Sequence, residues 1–365
     1  MIPTRVAAEL GGRAKPKIHR RASQAIGIRG EPPTVGTEAS APGLLRRCVG
    51  QASCSCNSRH RERDRFEDCR LPVIAGDVVK WQPGVRGVAH AKEAVVTDSP
   101  IDAQYSTGLS RRNIERALIA AGKDPDHLSP ADLGPLEDFH TMGRIATAQL
   151  ADLAEITGRD DVLDAGSGIG GTARFLADQY RCRVTAIDLT EEYCETARWL
   201  NRLVELEDRI SVRQGDVTDL PFADATFDVV TSQHVQMNVA DKARLYREAR
   251  RVLVTGGRLA IWDIAAGAPG ELDYPLPWAD RPEFSHLAST DQLRAAVESA
   301  GLTVGQWNDL TEQAAALMDA FLSLPPSPLG LHAFVTDFTE KARNLTRGLS
   351  GGRLRAIQAI AQAAA

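Results

Sequence analysis

The sequence predicts an α/β fold built on a doubly wound, mostly parallel sheet of seven strands. Three observations carry this. Seven short apolar runs alternate with stretches of helical period from residue 161 onwards. The first run ends in Asp164-Ala165, and the glycine-rich Gly166-Ser167-Gly168-Ile169-Gly170 follows at once. The second run, Arg183 to Asp188, ends in another acid.

Ser110 reads as the cap of a helix with Ile114, Leu118 and Ala121 on one face, closed by Gly122. Met142, Ile145, Ala146, Gln149, Leu153 and Ile156 give a second amphipathic helix that ends at Gly158. The alternation then begins: strand 161–165, helix 171–180, strand 183–188, helix 191–205, strand 210–214. Thr190 is placed to cap the second of these helices, with Glu191 and Glu192 in its positive first turn. Strand 227–232, helix 240–253 and strand 258–263 continue the pattern, with short connections that imply right-handed crossovers. Residues 265–288 interrupt it as a rigid proline-rich loop carrying Tyr274, Trp278, Phe284 and His286. A helix near 290–300, a strand 303–308, cap helices 311–323 and 331–347, and a last strand 354–360 complete the chain.

In such sheets ligands bind outside the carboxyl ends of the strands. Bare glycine backbone permits a tight turn and lets a ligand lie against the chain, which makes the turn after the first strand a nucleotide-type site. The ligand is not named by the glycines, because Gly166, Gly168 and Gly171 also satisfy the dinucleotide spacing, with Asp188 as the ribose acid. Asp164 counts against that reading, since a carboxylate stands where a dinucleotide site usually has an apolar residue. It suits the ammonium end of a methionine tail instead. Gln214-Gly215-Asp216-Val217 puts a further acid after the third strand, where adenine would be held by its amino group. The fourth run ends in the polar residues Ser232, Gln233 and His234.

Together these segments resemble the class I S-adenosylmethionine-dependent methyltransferases over roughly residues 100 to 365. The stretch Arg251 to Asp263 is similar to the family's turn into its fifth strand. Asp138-Phe-His-Thr-Met-Gly-Arg144 and Gln233-His-Val-Gln-Met-Asn238 resemble small-molecule members, the sarcosine/dimethylglycine N-methyltransferase group above all. The resemblance implies a Rossmann-like methyltransferase fold, a final antiparallel strand, and a helical cap over the strand ends. It implies S-adenosyl-L-methionine as cofactor, with Asp164, Gly166, Ser167, Gly168, Gly170, Asp188, Leu189, Gly215, Asp216, Val217 and Gln233 in its site. The implied activity is methyl transfer to a small molecule, with nitrogen the preferred acceptor.

Candidate catalytic residues are His234, Gln233, His140 and Tyr105, each with an ordinary structural role as competitor. His234 would face the methyl group as a base, or serve structure like many histidines. His140 would reach the site from the entrance helix, or stabilise a helix start. Tyr105 would close over the cofactor, or lie on the surface. Tyr274, Trp278 and Phe284 would wall a cationic amine, or form the loop's own small core. Gln233, Gln236 and Asn238 would orient a polar acceptor. An oxygen methyltransferase with His234 as base, an NAD-dependent dehydrogenase and a non-catalytic cofactor-binding protein are the alternatives.

Composition narrows the classes. The 365 residues carry a net charge of −5, divided between a basic stretch 1–95 and an acidic remainder. An acidic body argues against a nucleic-acid substrate. No apolar run approaches the ~18 residues that span a bilayer, and no apolar signal core stands at the start, so a cytoplasmic location without membrane contact is expected. The domain division expected is an extension 1–95 and a methyltransferase domain 96–365. The extension is rich in Arg, Gly, Pro and Ser, and disorder is the expectation, with an over-extended start as its origin. Cys48, Cys54, Cys56 and Cys69 lack the paired spacing of zinc sites, so no metal is expected. Arg59, Arg61, Arg63 and Arg65 read as a solvated charge run rather than an RNA-binding arm. The oligomeric state is not legible.

Overall fold

A computed structural model of the protein describes residues 105–137 and 139–364; the expectations for residues 1–95, and the domain boundary drawn there, lie outside the described residues. A helix α1 (Ser110–Ala120), a one-turn helix α2 (Pro130–Leu133) and a helix α3 (Arg144–Leu153) precede the sheet. Then come β1 (Asp161–Ala165), α4 (Gly171–Gln179), β2 (Arg183–Asp188), α5 (Glu191–Leu203) and β3 (Ile210–Gln214). β4 (Phe227–Gln233), α6 (Lys242–Val252), β5 (Leu253–Ala266), α7 (Thr290–Ser299) and β6 (Leu302–Asp309) follow. The chain closes with α8 (Thr311–Leu322), α9 (Phe338–Ser350) and β7 (Leu354–Ala363).

The strands form one seven-stranded sheet in the order β3-β2-β1-β4-β5-β7-β6. Neighbours from β3 to β5 pair in parallel, and β7 runs antiparallel to both β5 and β6. This is the mixed sheet of the Rossmann-like methyltransferase fold. The strand order reverses between β1 and β4, so a crevice opens there at their carboxyl ends. Central strands are buried on both faces and read as continuous apolar runs: Val162 and Leu163 in β1, Val229 and Val230 in β4. One face packs Ile114, Leu150, Leu176, Leu200 and Leu345; the other packs Leu220, Leu245, Ala249, Leu293 and Val297. Helices thus cover both faces of the sheet, each through one apolar stripe.

Several boundaries differ from expectation. β5 begins at Leu253 and runs to Ala266, well beyond 258–263. Gly256, at φ 76°, lets the strand bulge, so that the partner of Phe227 is Leu253 while that of Val229 is Arg258. The last cap helix starts at Phe338, after a short 3-10 turn at Leu331–Ala333, rather than at 331. The loop aromatics turn inward: Trp278 is buried and donates through Nε1 to Ser285 Oγ at 2.9 Å.

The cap assignments also change. Leu109 is the N-cap of α1, and Thr190 caps α5 by backbone position without a side-chain hydrogen bond. Glu192 takes over at α1: its carboxylate accepts from Gly108 N at 2.6 Å, Ser110 N at 2.7 Å and Thr107 Oγ1 at 3.2 Å. A residue in the first turn of α5 therefore satisfies the orphan amides of α1 and ties the segment from Tyr105 to the sheet domain. Glu192→Ala is expected to cost about 1 kcal/mol, the scale of a lost N-cap. It should also open the chain between Tyr105 and Ser110 to limited proteolysis. Glu191, paired with Arg198 at the surface, should tolerate the same change. Unchanged denaturation midpoint and unchanged protection in Glu192→Ala would contradict this role.

Candidate active site

A cavity of about 380 Å³ lies at the carboxyl ends of β1 to β4. It is lined by the turn after β1, by Asp188 and Leu189 after β2, by Gly215, Asp216 and Val217 after β3, and by Gln233 and His234 from β4 onwards. Asp164, Ser167, Tyr105 and His140 also face it.

The turn is built from backbone. Gly166 N and Ser167 N both donate to Ile187 O, at 2.8 and 3.0 Å, which docks the turn on β2. Gly166 sits at φ 78°, and a Cβ there would meet Val235 Cγ2 at 2.4 Å, so no side chain fits. Gly168, at φ 53°, has open space where a Cβ would stand and donates its N–H to Asp188 Oδ2 at 2.7 Å. Asp188 Oδ1 accepts from Thr190 N at 3.0 Å. One half-buried carboxylate thus ties the glycine turn to the start of α5.

Asp164 is buried, and its Oδ1 accepts from Thr231 Oγ1 at 3.0 Å across the β1–β4 pair. Gln233 donates through Nε2 to Thr172 Oγ1 at 2.7 Å. Its Oε1 is a buried acceptor with no hydrogen-bond partner. Asp216 is exposed at the rim, and its Oδ1 accepts from Thr218 N and Oγ1 at 2.7 and 2.8 Å.

His234 stands at the residue after β4 with φ 56°, in the left-handed region. Its N–H donates to Trp262 O at 2.8 Å. Its Nε2 accepts from Thr141 N at 3.3 Å and meets Thr141 Oγ1 at 3.2 Å. A backbone amide can only donate, so Nε2 is the unprotonated nitrogen of the ring and the proton sits on Nδ1. Burial holds His234 neutral, well below the usual imidazole value, and the nearby His140 adds to this. The two rings lie 5.8 Å apart. His140 Nδ1 donates to Thr141 O at 3.2 Å, the carbonyl that also receives Trp262 Nε1 at 3.0 Å. Its Nε2 meets Thr147 Oγ1 at 3.1 Å. Both nitrogens of His140 are therefore engaged within the protein.

The loop carrying His234 is held from below by Asp263. Its Oδ2 accepts from Val235 N at 3.2 Å and Gln236 N at 3.1 Å, and its Oδ1 from Ile264 N at 2.9 Å. Burial pushes its carboxyl up to about 7, against the lowering effect of these three amides.

Three expectations are corrected. Gly170 is packed in the turn and does not line the cavity; its φ of 83° and the nearness of Arg174 Nη1 and Ala197 Cβ explain the glycine structurally. Gln236 is buried with its amide on Ile264 O and does not line the cavity. Tyr274, Trp278 and Phe284 pack on the core and line none of the cavity. The wall is made instead by Tyr105, Phe139, Tyr193 and Phe334. Tyr105 stacks obliquely on Tyr193 at 5.8 Å and donates its hydroxyl to Asn238 Oδ1 at 3.3 Å; Tyr193 meets Phe334 edge-on at 6.0 Å. Burial raises the phenol of Tyr105 far above its usual range, so it remains a hydrogen-bond donor. Thr172, Tyr193 and Phe334 were not expected here. Tyr193 is masked by the apolar stripe of α5, and Phe334 comes from the cap, over a hundred and forty positions away.

A nucleoside-type cofactor fits this cavity. Open space beside Gly168, carboxylates at the ends of β1 and β2, and the partnerless Oε1 of Gln233 suit a ligand with ribose hydroxyls and an ammonium group. The cavity lies where a doubly wound sheet binds its ligands. A family described as a methyltransferase domain matches residues 163–261. The chain is 33% identical over 178 residues to a glycine/sarcosine/dimethylglycine N-methyltransferase of Actinopolyspora halophila, covering 49% of this chain and 32% of that protein. The chain thus spans about a third of that relative's length. It is 31% identical over 199 residues to a sarcosine/dimethylglycine N-methyltransferase of Halorhodospira halochloris, covering 54% of this chain and 70% of that protein. Among solved structures, geranyl diphosphate C-methyltransferase of Streptomyces coelicolor superposes with a TM-score of 0.54 at 17% identity, over 72% of this chain and 98% of that one. The chain belongs to the class I S-adenosylmethionine-dependent methyltransferases, and S-adenosyl-L-methionine is its cofactor.

Asp263 makes stability pH-dependent. Its folded value of about 7 lies above its ordinary 3.8, so between these values the folded chain holds a proton that the unfolded chain has lost. The associated stability is full below the ordinary value and falls as pH rises through about 7. His234, held neutral, contributes the opposite slope below the ordinary imidazole value, so the difference between wild type and Asp263→Asn isolates the carboxyl. Denaturation midpoints measured from pH 4.5 to 7.5 should show the wild type's advantage over Asp263→Asn shrinking as pH rises. Parallel curves would contradict the raised value.

Proposed function

We propose that the protein transfers the methyl group of S-adenosyl-L-methionine to an amine nitrogen of a small molecule. When bound, the cofactor supplies a methyl group already activated on a sulfonium. In this reading Asp188, at the end of β2, takes the ribose hydroxyls. Asp216 and Val217 hold the adenine, with Leu189 and Gly215 against its faces. Asp164 and Gln233 Oε1 face the ammonium of the methionine portion, and the amides of the Gly166–Gly168 turn face its carboxylate. Transfer to an amine then needs position and exclusion of water more than proton removal, because the neutral amine is the nucleophile. Tyr105, from the segment before α1, closes one side of the cavity.

The observation that carries the nitrogen reading is the hydrogen bond from Thr141 N to His234 Nε2. A hydroxyl acceptor needs a base. His234 has its only lone-pair nitrogen committed to an amide, and burial opposes its protonation. With Nδ1 protonated, His234 can donate to an acceptor or to water but cannot take a proton without losing the Thr141 bond. The aromatic wall of Tyr105, Phe139, Tyr193 and Phe334 supports the same reading, since it would shelter the cation that forms as nitrogen is methylated.

The test uses a product screen on small amines and phenols, with mass spectrometry to locate the added methyl group. Replacing His234 by Asn keeps a residue that tolerates the left-handed backbone. Because no base is lost, kcat/KM for an amine should fall by about tenfold or less in His234→Asn, against about 10²–10⁴-fold for a missing base. Raising pH should increase the rates of both proteins in parallel as free amine accumulates. An oxygen-methylated product together with a thousandfold loss in His234→Asn would transfer the assignment to an oxygen acceptor.

A further inference from the structure

We infer that the acceptor amine carries no carboxylate or phosphate of its own, so that its class is an apolar or simply cationic amine rather than an amino acid or a phosphorylated amine. This rests on the nitrogen reading above and narrows it.

The charge on the cavity wall is one-sided. Asp164, Asp188, Asp216 and Asp241 line it, and among the described residues no lysine or arginine does. The cations on the surrounding elements are committed elsewhere. Arg174 is buried against Glu137 and Asn201. Lys242 Nζ donates to the carbonyls of Val239 and His286. Lys341 pairs with Asp280 at 2.9 Å. His234 is held neutral, and both ring nitrogens of His140 are taken up by Thr141 and Thr147, so His140 has no N–H left to direct at an anion.

A helix N-terminus is the other common receptor for an anion. The start of α6 reaches the cavity through Val239, Ala240 and Asp241. Its positive end already carries a carboxylate of the chain: Asp241 is the N-cap, and its Oδ1 accepts from Arg244 N at 2.9 Å. A second anion there would meet the first. The turn amides of Gly166 to Gly168 belong to the cofactor in this reading.

What remains for the acceptor is apolar or hydrogen-bonding: Tyr105, Phe139, Phe334, Asn238 and the rings of the two histidines. A carboxylate brought in would lose its water without gaining a cation, which is strongly unfavourable. A free amine meets no such barrier, and its methylated, cationic product would be stabilised by the aromatic faces. The chain would then differ in acceptor from what the names of its two N-methyltransferase relatives state for those proteins.

Matched pairs separate the outcomes. Sarcosine and dimethylglycine are compared with their methyl esters, alongside N-methylbenzylamine, using the full chain loaded with cofactor. Two readouts are taken: kcat/KM from product mass spectrometry, and calorimetric binding to the S-adenosylhomocysteine complex. The esters and N-methylbenzylamine should exceed the free carboxylates in kcat/KM by about 10²-fold or more, because a buried charge left unpaired discriminates strongly. Calorimetry should show the same order. The inference is overturned if a free carboxylate is bound or methylated as well as its ester, or if no uncharged-bodied amine in the set binds. Methylation of phenols without methylation of any amine would instead overturn the nitrogen reading, so the two failures are distinct.

Discussion

The site depends on one carboxylate. Asp188 ends β2, receives Gly168 N on one oxygen and Thr190 N on the other, and thereby joins the β1 turn to the start of α5. The turn can take this shape because Gly166 and Gly168 adopt positive φ and because Val235 fills the space where a side chain at Gly166 would project. Remove the carboxylate, and the glycine turn loses the contact that holds it open towards the cavity.

A second layer of constraint fixes the opposite wall. Asp263 gathers the amides that follow His234, and Thr141 meets the imidazole from the segment before α3. Trp262 Nε1 donates to the same Thr141 residue at its carbonyl, so a buried indole of β5 positions the entrance segment as well. The histidine is over-determined: backbone, ring nitrogen and neighbours each have one arrangement. Such a group is suited to orienting an acceptor. It is poorly suited to cycling between protonation states, because each state would require these bonds to reform. The fold alone does not select the acceptor atom, since the same sheet appears in a carbon methyltransferase. Selection therefore falls to the walls of the cavity.

Those features that arise from neighbours in sequence were legible before the structure. The order of Asp164, the glycine turn and Asp188 is local, and so is the alternation that fixes the strands; the structure keeps both. Of the wall only Tyr105 was legible, because Phe139, Tyr193 and Phe334 come from three further segments and no spacing connects them. For the loop aromatics two readings stood open, a wall for a cation or packing within the protein, and burial decides for packing: the indole of Trp278 lies in the core, where Ser285 satisfies its N–H. Gly170 misled because a glycine in a turn can be required by packing against Arg174 and Ala197 as well as by a ligand. Glu192 was read as an ally of its own helix, and the structure adds a longer reach to the amides of α1.

Titration calorimetry of S-adenosylhomocysteine and NAD into the full chain and into Asp188→Ala tests the central claim most directly. The account predicts saturable binding of S-adenosylhomocysteine, no binding of NAD, and a weakening in Asp188→Ala of about 1.5–3 kcal/mol, the range for hydrogen bonds to a charged group. Equal affinity for S-adenosylhomocysteine in the two proteins, or tight NAD binding without response to the sulfur ligand, would contradict it.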